Sequence, residues 1–378
     1  MKSKLLAFLL SGVMAATLSP VSAFAAAAQP DEVQGQENLK AAEELAEEMI
    51  DESIGNDLLT PSEEAIEERI ETSPGQKYGD IDDTSFDLRD VVVVENGKEV
   101  HKNFVTKVKL QKPFGTCWGH SVISATEVSI LSRYGLSYDE DAEPFYRTKT
   151  KGNAFGATNL DLSELHLAWF SLHALPADAP NNQGGEGIHY FGEDEPDYKD
   201  NALNHGGYMF YGTTAFAAGM GPAYEKDVPY EPKDKENHVE YKDGKRCWYS
   251  PDADWSVSED MRFGIAGQLE ESSVLPSPAT ITCGDDGSVS YEYNEKGTEA
   301  IKSELIKGRG VSIAFCADIS KPYEPVENEK YISANSAHYT CVPEYANHAV
   351  TIVGWDDNYS TDKFLQGKCK DPKTGEYV

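Results

Sequence analysis

Gln111-Lys112-Pro113-Phe114-Gly115-Thr116-Cys117-Trp118-Gly119-His120-Ser121 is the stretch on which the reading of this chain turns. Pro113 and Gly115 demand a loop. Behind them Val122, Ile123, Thr126, Ile130 and Leu131 fall at helical spacing. Cys117 therefore stands where a loop enters a helix. The N-terminal end of a helix is the positive end of its dipole, and it favours a thiolate over a thiol. The thiolate is the nucleophilic form. Gln111 supplies an amide donor six residues upstream, able to face an oxyanion together with the backbone N–H of Cys117. A single Cys usually serves as a small buried apolar residue. Loop, amide, Cys and Trp in one short segment argue for chemistry instead.

A thiolate nucleophile needs a base, and the chain has nine histidines. His166 and His173 fall in a helix-like stretch, while His189, His205 and His238 lie in polar, loop-rich sequence. His120 shares a helix face with Cys117 at i, i+3, yet it cannot easily reach over the helix end to the sulfur. His348 differs from these. It opens the apolar run Ala349 to Val353, which reads as a buried strand. A strand edge beside a cleft holds an imidazole rigidly at hydrogen-bond distance.

Gln111 to Trp118 resembles the active-site segment of papain-like cysteine proteases, the C1 peptidase family. There Gln, a Gly-rich loop, Cys and Trp follow in this order, with Gln and Cys six positions apart. Asp87-Leu88-Arg89 resembles the family's early strand, and Leu162-Ser163-Glu164-Leu165 its Leu-Ser-Glu helix start. Gly206-Gly207-Tyr208 resembles the paired glycines of the substrate cleft, and Val228-Pro229-Tyr230 a Tyr-Pro-Tyr-like turn. Ile301 to Phe315 resembles the helix and strand before the His, and Asn347 to Trp355 the His strand. The likeness can be followed, with interruptions, from residue 84 to about 359.

The resemblance implies an α+β, papain-like two-lobed fold. A mainly helical lobe would carry Cys117 and Gly206-Gly207, a β-barrel-like lobe His348, with the cleft between. It implies a secreted, bacterial-type cysteine peptidase that hydrolyses peptide bonds through an acyl-enzyme, with Cys117 and His348 as a thiolate–imidazolium pair. Gln111 and the Cys117 N–H would form the oxyanion hole. Trp118, Gly206, Gly207, Tyr208, Asn347 and Ala349 would shape the substrate site, and no cofactor or metal is called for. The partner expected is a peptide or protein substrate.

Several departures accompany the likeness. Family members orient the His with an Asn in an Asn-Ser-Trp segment, and none follows His348. Asn358, after Asp356-Asp357 and before Tyr359-Ser360, reads as a turn residue. The expectation is a chain truncated before that segment, lacking the last barrel strands. This leaves a second reading, a catalytically impaired surface or binding module, and a third, acyl or amide transfer by the same pair. Gly119-His120 stands where the family has Ala-Phe, and Phe114 where it has a disulfide Cys. With Cys117 set aside, Cys247, Cys283, Cys316, Cys341 and Cys369 are an odd number. Cys316–Cys341 and Cys247–Cys283 are candidate pairs, and Cys369 is left over. Cys117 and His348 lie 231 residues apart, against about 130–150 in the archetype. Loop-like insertions near 176–203 and 231–299 supply the surplus.

Composition bounds the rest. The 378 residues carry a formal net charge of −32. No basic patch interrupts it, which argues against nucleic acid or an anionic membrane as partner. Lys2 and Lys4 precede an apolar run from Leu5 to Leu18, and Ala23-Phe24-Ala25 fits a cleavage site. Residues 1–25 thus read as a signal peptide, the alternative being an uncleaved anchor. No later stretch is apolar for about 18 residues. Residues 26–83 form an acidic segment; 31–83 hold 18 acidic against 3 basic residues. Leu45, Met49 and Ile50, then a capping box at Thr60-Pro61-Ser62-Glu63, then Ile66 and Ile70, mark thin amphipathic helices. The segment reads equally as an intramolecular pro-region or as a solvated linker. Residues 84–378 then form the peptidase-like domain, at −19. Metal signals are weak: Cys117-x-x-His120 lacks a second ligand pair, and the acidic run 193–200 does not match an EF-hand.

Overall fold

The structure is a computed structural model. It describes residues 77–145, 156–173, 175, 202–204, 206–235, 239–242, 245–283, 289–315, 317, 332–333, 335–339 and 346–364. The signal-peptide and acidic-segment readings up to residue 76, most of 176–203, His189, His205, His238, Cys316, Cys341 and Cys369 lie outside the described residues, as do the side chains of Cys247 and Cys283.

Numbered in chain order, the elements are β1 (Ser85–Asp87), β2 (Val91–Glu95), β3 (Lys98–Lys102), α1 (Cys117–Tyr134), β4 (Ser137–Tyr138), β5 (Ala157–Thr158), α2 (Glu164–Leu172), α3 (Met209–Ala217), β6 (Val239–Lys242), β7 (Lys245–Tyr249), β8 (Ala279–Cys283), β9 (Val289–Tyr293), α4 (Glu295–Ile306), β10 (Val311–Phe315), β11 (His348–Ile352) and β12 (Gly354–Asp356). Helices and strands are mixed, as expected of an α+β chain.

Local rules account for several boundaries. Asn96 and Gly97 both have positive φ, 52° and 76°, the requirement of a two-residue hairpin turn between β2 and β3. Gly135 at φ 62° ends α1, its N–H reaching back to the Leu131 and Ser132 carbonyls. Ser163 caps α2 by accepting the His166 N–H at 2.9 Å. Within 231–299, where elaborated loops with some order are expected from the aromatic content, β6–β7 and β8–β9 are antiparallel hairpins.

The expected β-barrel differs from what is seen. Among the described residues every sheet is two-stranded and no barrel closes. The run 348–356 breaks only at Val353. It pairs with β10 before the break and with β1 after it, and this change of partner divides one ribbon into two short ladders.

The core lies around α1. Trp118, Ile123, Val128 and Leu131 are fully buried. The helix also sits directly on β10 and β11. Ser121 Oγ donates to Val350 O at 2.7 Å, and Thr351 Oγ1 donates to Ser121 O at 2.8 Å. A Cβ at Gly310 would touch Ala125 and Val128, and Ser132 Oγ donates to Gly308 O at 2.6 Å. Moving along the helix from 121 to 132 therefore moves along β10 from its middle back toward its start. Since β10 is antiparallel to β11, with Phe315 opposite His348 and Val311 opposite Ile352, α1 and β11 run in the same direction.

Candidate active site

That shared direction determines what meets. Cys117 is the first residue of α1 and His348 the first residue of β11, so both stand at the same end of the helix–strand contact. Ser121, one turn into the helix, already touches Val350 and Thr351, two and three residues into the strand. Cys117 is a half-buried free thiol. The His348 ring packs against Phe315 with centroids 5.8 Å apart, and partial burial holds its pKa below the ordinary histidine value. Among the described residues no side chain hydrogen-bonds the His348 ring.

The loop before Cys117 is held at both ends by one phenol. Tyr230 Oη donates to Gln111 O at 2.7 Å and lies 2.7 Å from Thr116 Oγ1, whose hydroxyl can donate to it. Phe114 is buried edge-on against Trp255, ring centroids 4.8 Å apart. It anchors the loop by packing. Gln111 Nε2 donates one of its two protons to Phe114 O at 3.3 Å, which orients the amide and leaves the second N–H.

The glycine pair lies against the same loop. A Cβ at Gly115 would stand 3.5 Å from Gly206 N, and one at Gly207 would stand 2.5 Å from Trp118 Nε1. The Gly206–Gly207 backbone thus rests on the Cys117 loop and on the Trp118 ring. Trp118 is fully buried and edge-on to Tyr211 at 5.5 Å. It supports the glycine segment from below rather than facing a substrate. Tyr208 is exposed at the start of α3. The Asn347 side chain is bonded to the Ala317 backbone, accepting from N at 2.7 Å and donating to O at 3.1 Å. Ala349 is buried opposite Ala314 in the ladder, a core position.

Beneath the loop lies an ionic cluster that sequence reasoning missed. Lys109 Nζ is 2.9 Å from Glu127, 2.8 Å from Asp161 and 2.7 Å from Glu164, and donates to Leu162 O at 2.9 Å. Glu127 is wholly inaccessible and also accepts from Thr106 Oγ1 and Leu162 N. Burial raises the Glu127 and Glu164 pKa values against the pull of Lys109. Burial and the nearby Glu164 charge push Glu225 up to about 8. One signal was legible: Glu127 interrupts the apolar stripe formed by Ile123, Val128 and Leu131, and a charge there must find a partner. No group of metal-ligating side chains occurs among the described residues.

No protein-family model matches the chain, and no curated protein sequence does. Among solved structures, the crystal structure of the cysteine protease and lectin-like domains of Cwp84, a surface layer associated protein of Clostridium difficile, is similar at 20% identity. The match covers 77% of this chain and 43% of that one, with a TM-score of 0.34. The chain thus spans less than half the length of that structure. A superposition this loose fixes neither fold nor chemistry, and the reading of the site rests on its own residues. No described helix is long and apolar enough to cross a membrane.

Proposed function

We propose that the chain is a papain-like cysteine peptidase acting outside the cell or at its surface. The observation that carries the reading is the parallel run of α1 and β11, with Cys117 and His348 at its common end. In this reading His348 takes the Cys117 proton and the thiolate attacks a peptide carbonyl. The resulting oxyanion accepts from the Cys117 N–H and from the remaining Gln111 Nε2–H. The His348 imidazolium then protonates the leaving amine, and water, deprotonated by His348, hydrolyses the acyl-enzyme. An extended substrate hydrogen-bonds the Gly207 backbone, with Tyr208 beside it. Cleft rigidity comes from Phe114 and Trp255 packing and from Tyr230.

A non-catalytic surface module is the second reading. It is favoured by the lack of a described side chain that orients the His348 ring. A peptidyl epoxide that alkylates activated thiolates separates the two. Labelling at Cys117, lost in Cys117→Ala and reduced at least tenfold in His348→Ala, supports the peptidase. A folded protein that stays unlabelled would leave the binding module in its place.

A further inference from the structure

His120 stands where papain-like sequences carry a Phe, and the proposed reaction gives it no part. Its surroundings give it one. The His120 backbone N–H donates to Thr116 O at 3.1 Å, the first helical bond of α1. Its ring Nδ1 lies 3.0 Å from the same carbonyl. A carbonyl only accepts, so Nδ1 carries the proton and donates. Nε2 is then the lone-pair nitrogen, and it is buried without a hydrogen-bond partner among the described residues. The ring is also held edge-on to Tyr230, centroids 5.0 Å apart, and Tyr230 is the residue that ties Gln111 O to Thr116 Oγ1.

The carbonyl that receives these two bonds belongs to the Thr116–Cys117 peptide. That unit is planar, with its C=O and N–H pointing in opposite directions. Fixing the Thr116 oxygen toward His120 therefore fixes the Cys117 N–H toward the open end of the helix, where an oxyanion would sit. Thr116 has no other cap to do this: its side chain makes no capping bond and its residue is fully buried. Two donors on one carbonyl also polarise the peptide and make its N–H the stronger donor. Burial and the Lys109 charge push the His120 pKa down to about 4, so the ring is neutral at working pH and Nδ1–H persists.

We propose that His120 is a positioning residue of the oxyanion site, orienting the Cys117 N–H through the Thr116 carbonyl, with Tyr230 holding Gln111 in register from the other side. The inference rests on the peptidase reading. It predicts an effect on the step that develops negative charge, and none on the thiolate itself.

The test compares the full chain with His120→Phe, which keeps the ring and removes the donor, and His120→Asn, whose amide nitrogen falls near the lost Nδ1. Hydrolysis of fluorescein-labelled casein and alkylation by iodoacetamide, which needs no oxyanion, are measured together. The expected result is a turnover about tenfold lower in His120→Phe, unchanged KM and unchanged alkylation, with most of the turnover regained in His120→Asn. Equal turnover in His120→Phe and wild type overturns the assignment. So does a parallel loss of alkylation, which would mean the helix end itself had moved. Should His120→Phe not fold, the wild type still decides, because 15N spectra must show a neutral, Nδ1-protonated ring at pH 6. A ring that titrates near 6.5 or is protonated at Nε2 refutes the proposal. If wild-type protein hydrolyses no casein and takes no epoxide, the peptidase reading fails and this assignment falls with it.

Discussion

A methyl group on residue 207 would sit 2.5 Å from Trp118 Nε1, inside the surface of a ring that is fully buried. Gly207→Ala should therefore lower stability by about 1–3 kcal/mol and reduce epoxide labelling, because the segment must lift off the Cys117 loop. Thermal unfolding and labelling read the two effects. Gly119 is the converse. Nothing lies within 4 Å of where its Cβ would be, and it is inside α1. Gly119→Ala should raise stability by about 0.5–1 kcal/mol, seen as a higher melting temperature. At this scale the motif around Cys117 was legible because loop, helix start and nucleophile are local in sequence. The packing of Trp118 under Gly207 was not, since no spacing rule relates residues 89 positions apart.

At the scale of elements, the Lys109 cluster joins the loop before Gln111 to α1 and α2. Lys109→Met would leave Glu127 and Glu164 buried without their cation, and should cost about 3–5 kcal/mol, measured by urea unfolding. The same cluster makes stability depend on pH. Glu225 has a folded pKa of about 8 against an ordinary 4.5. Its contribution is complete below 4.5 and is lost as pH rises through 8. Glu127 and Glu164 shift the same way, and Lys109, raised, stays charged throughout. Asp161, Tyr230 and the Lys107 ammonium complete the surroundings. His120, His166, His173 and His348 have the opposite sense, each lowered below 6.5, so they lose stability on acidification below that value. Between pH 6.5 and 8 the carboxyls dominate. Stability should fall by about 1–2 kcal/mol over that interval, and Glu225→Gln should flatten most of the slope. The helix itself was readable from the spacing of Val122, Ile123, Thr126, Ile130 and Leu131. Its alignment with β11 was not, because strand pairing across 33 residues and helix docking across more than 200 leave no periodic trace. The hairpins of 231–299 were missed for a related reason: strands of four or five residues among many acids show too short an alternation to stand out.

For the whole molecule, the first and last described strands pair with each other. Ser85 lies opposite Asp356 and Asp87 opposite Gly354, and Asp357 N donates to Thr84 O at 2.8 Å. Trp355 secures the join. It stacks on Phe86 at 5.2 Å, donates Nε1–H to Asp83 O at 3.0 Å and lies under the Lys302 ammonium at 5.1 Å. Trp355→Ala should cost about 3 kcal/mol and raise hydrogen exchange at Leu88 and Asp357 before any change within α1. Residues 77–83 also pack on this body: Tyr78 donates Oη–H to Ser132 O at 2.8 Å and N–H to Ile306 O at 2.7 Å.

This join has a mechanical meaning. In an antiparallel pair the outer end of one strand lies beside the outer end of the other, and here those ends are residues 85 and 356. Tension applied along the chain on either side would pull β1 and β12 apart at one end. The ladder would open like a zipper, one hydrogen bond at a time, rather than resisting as a block in shear. A body hung from its neighbours by these two strands would yield first at the seam, at low force. The end of β11 that bears His348, on the far side of Val353, would feel the load only after the seam had parted.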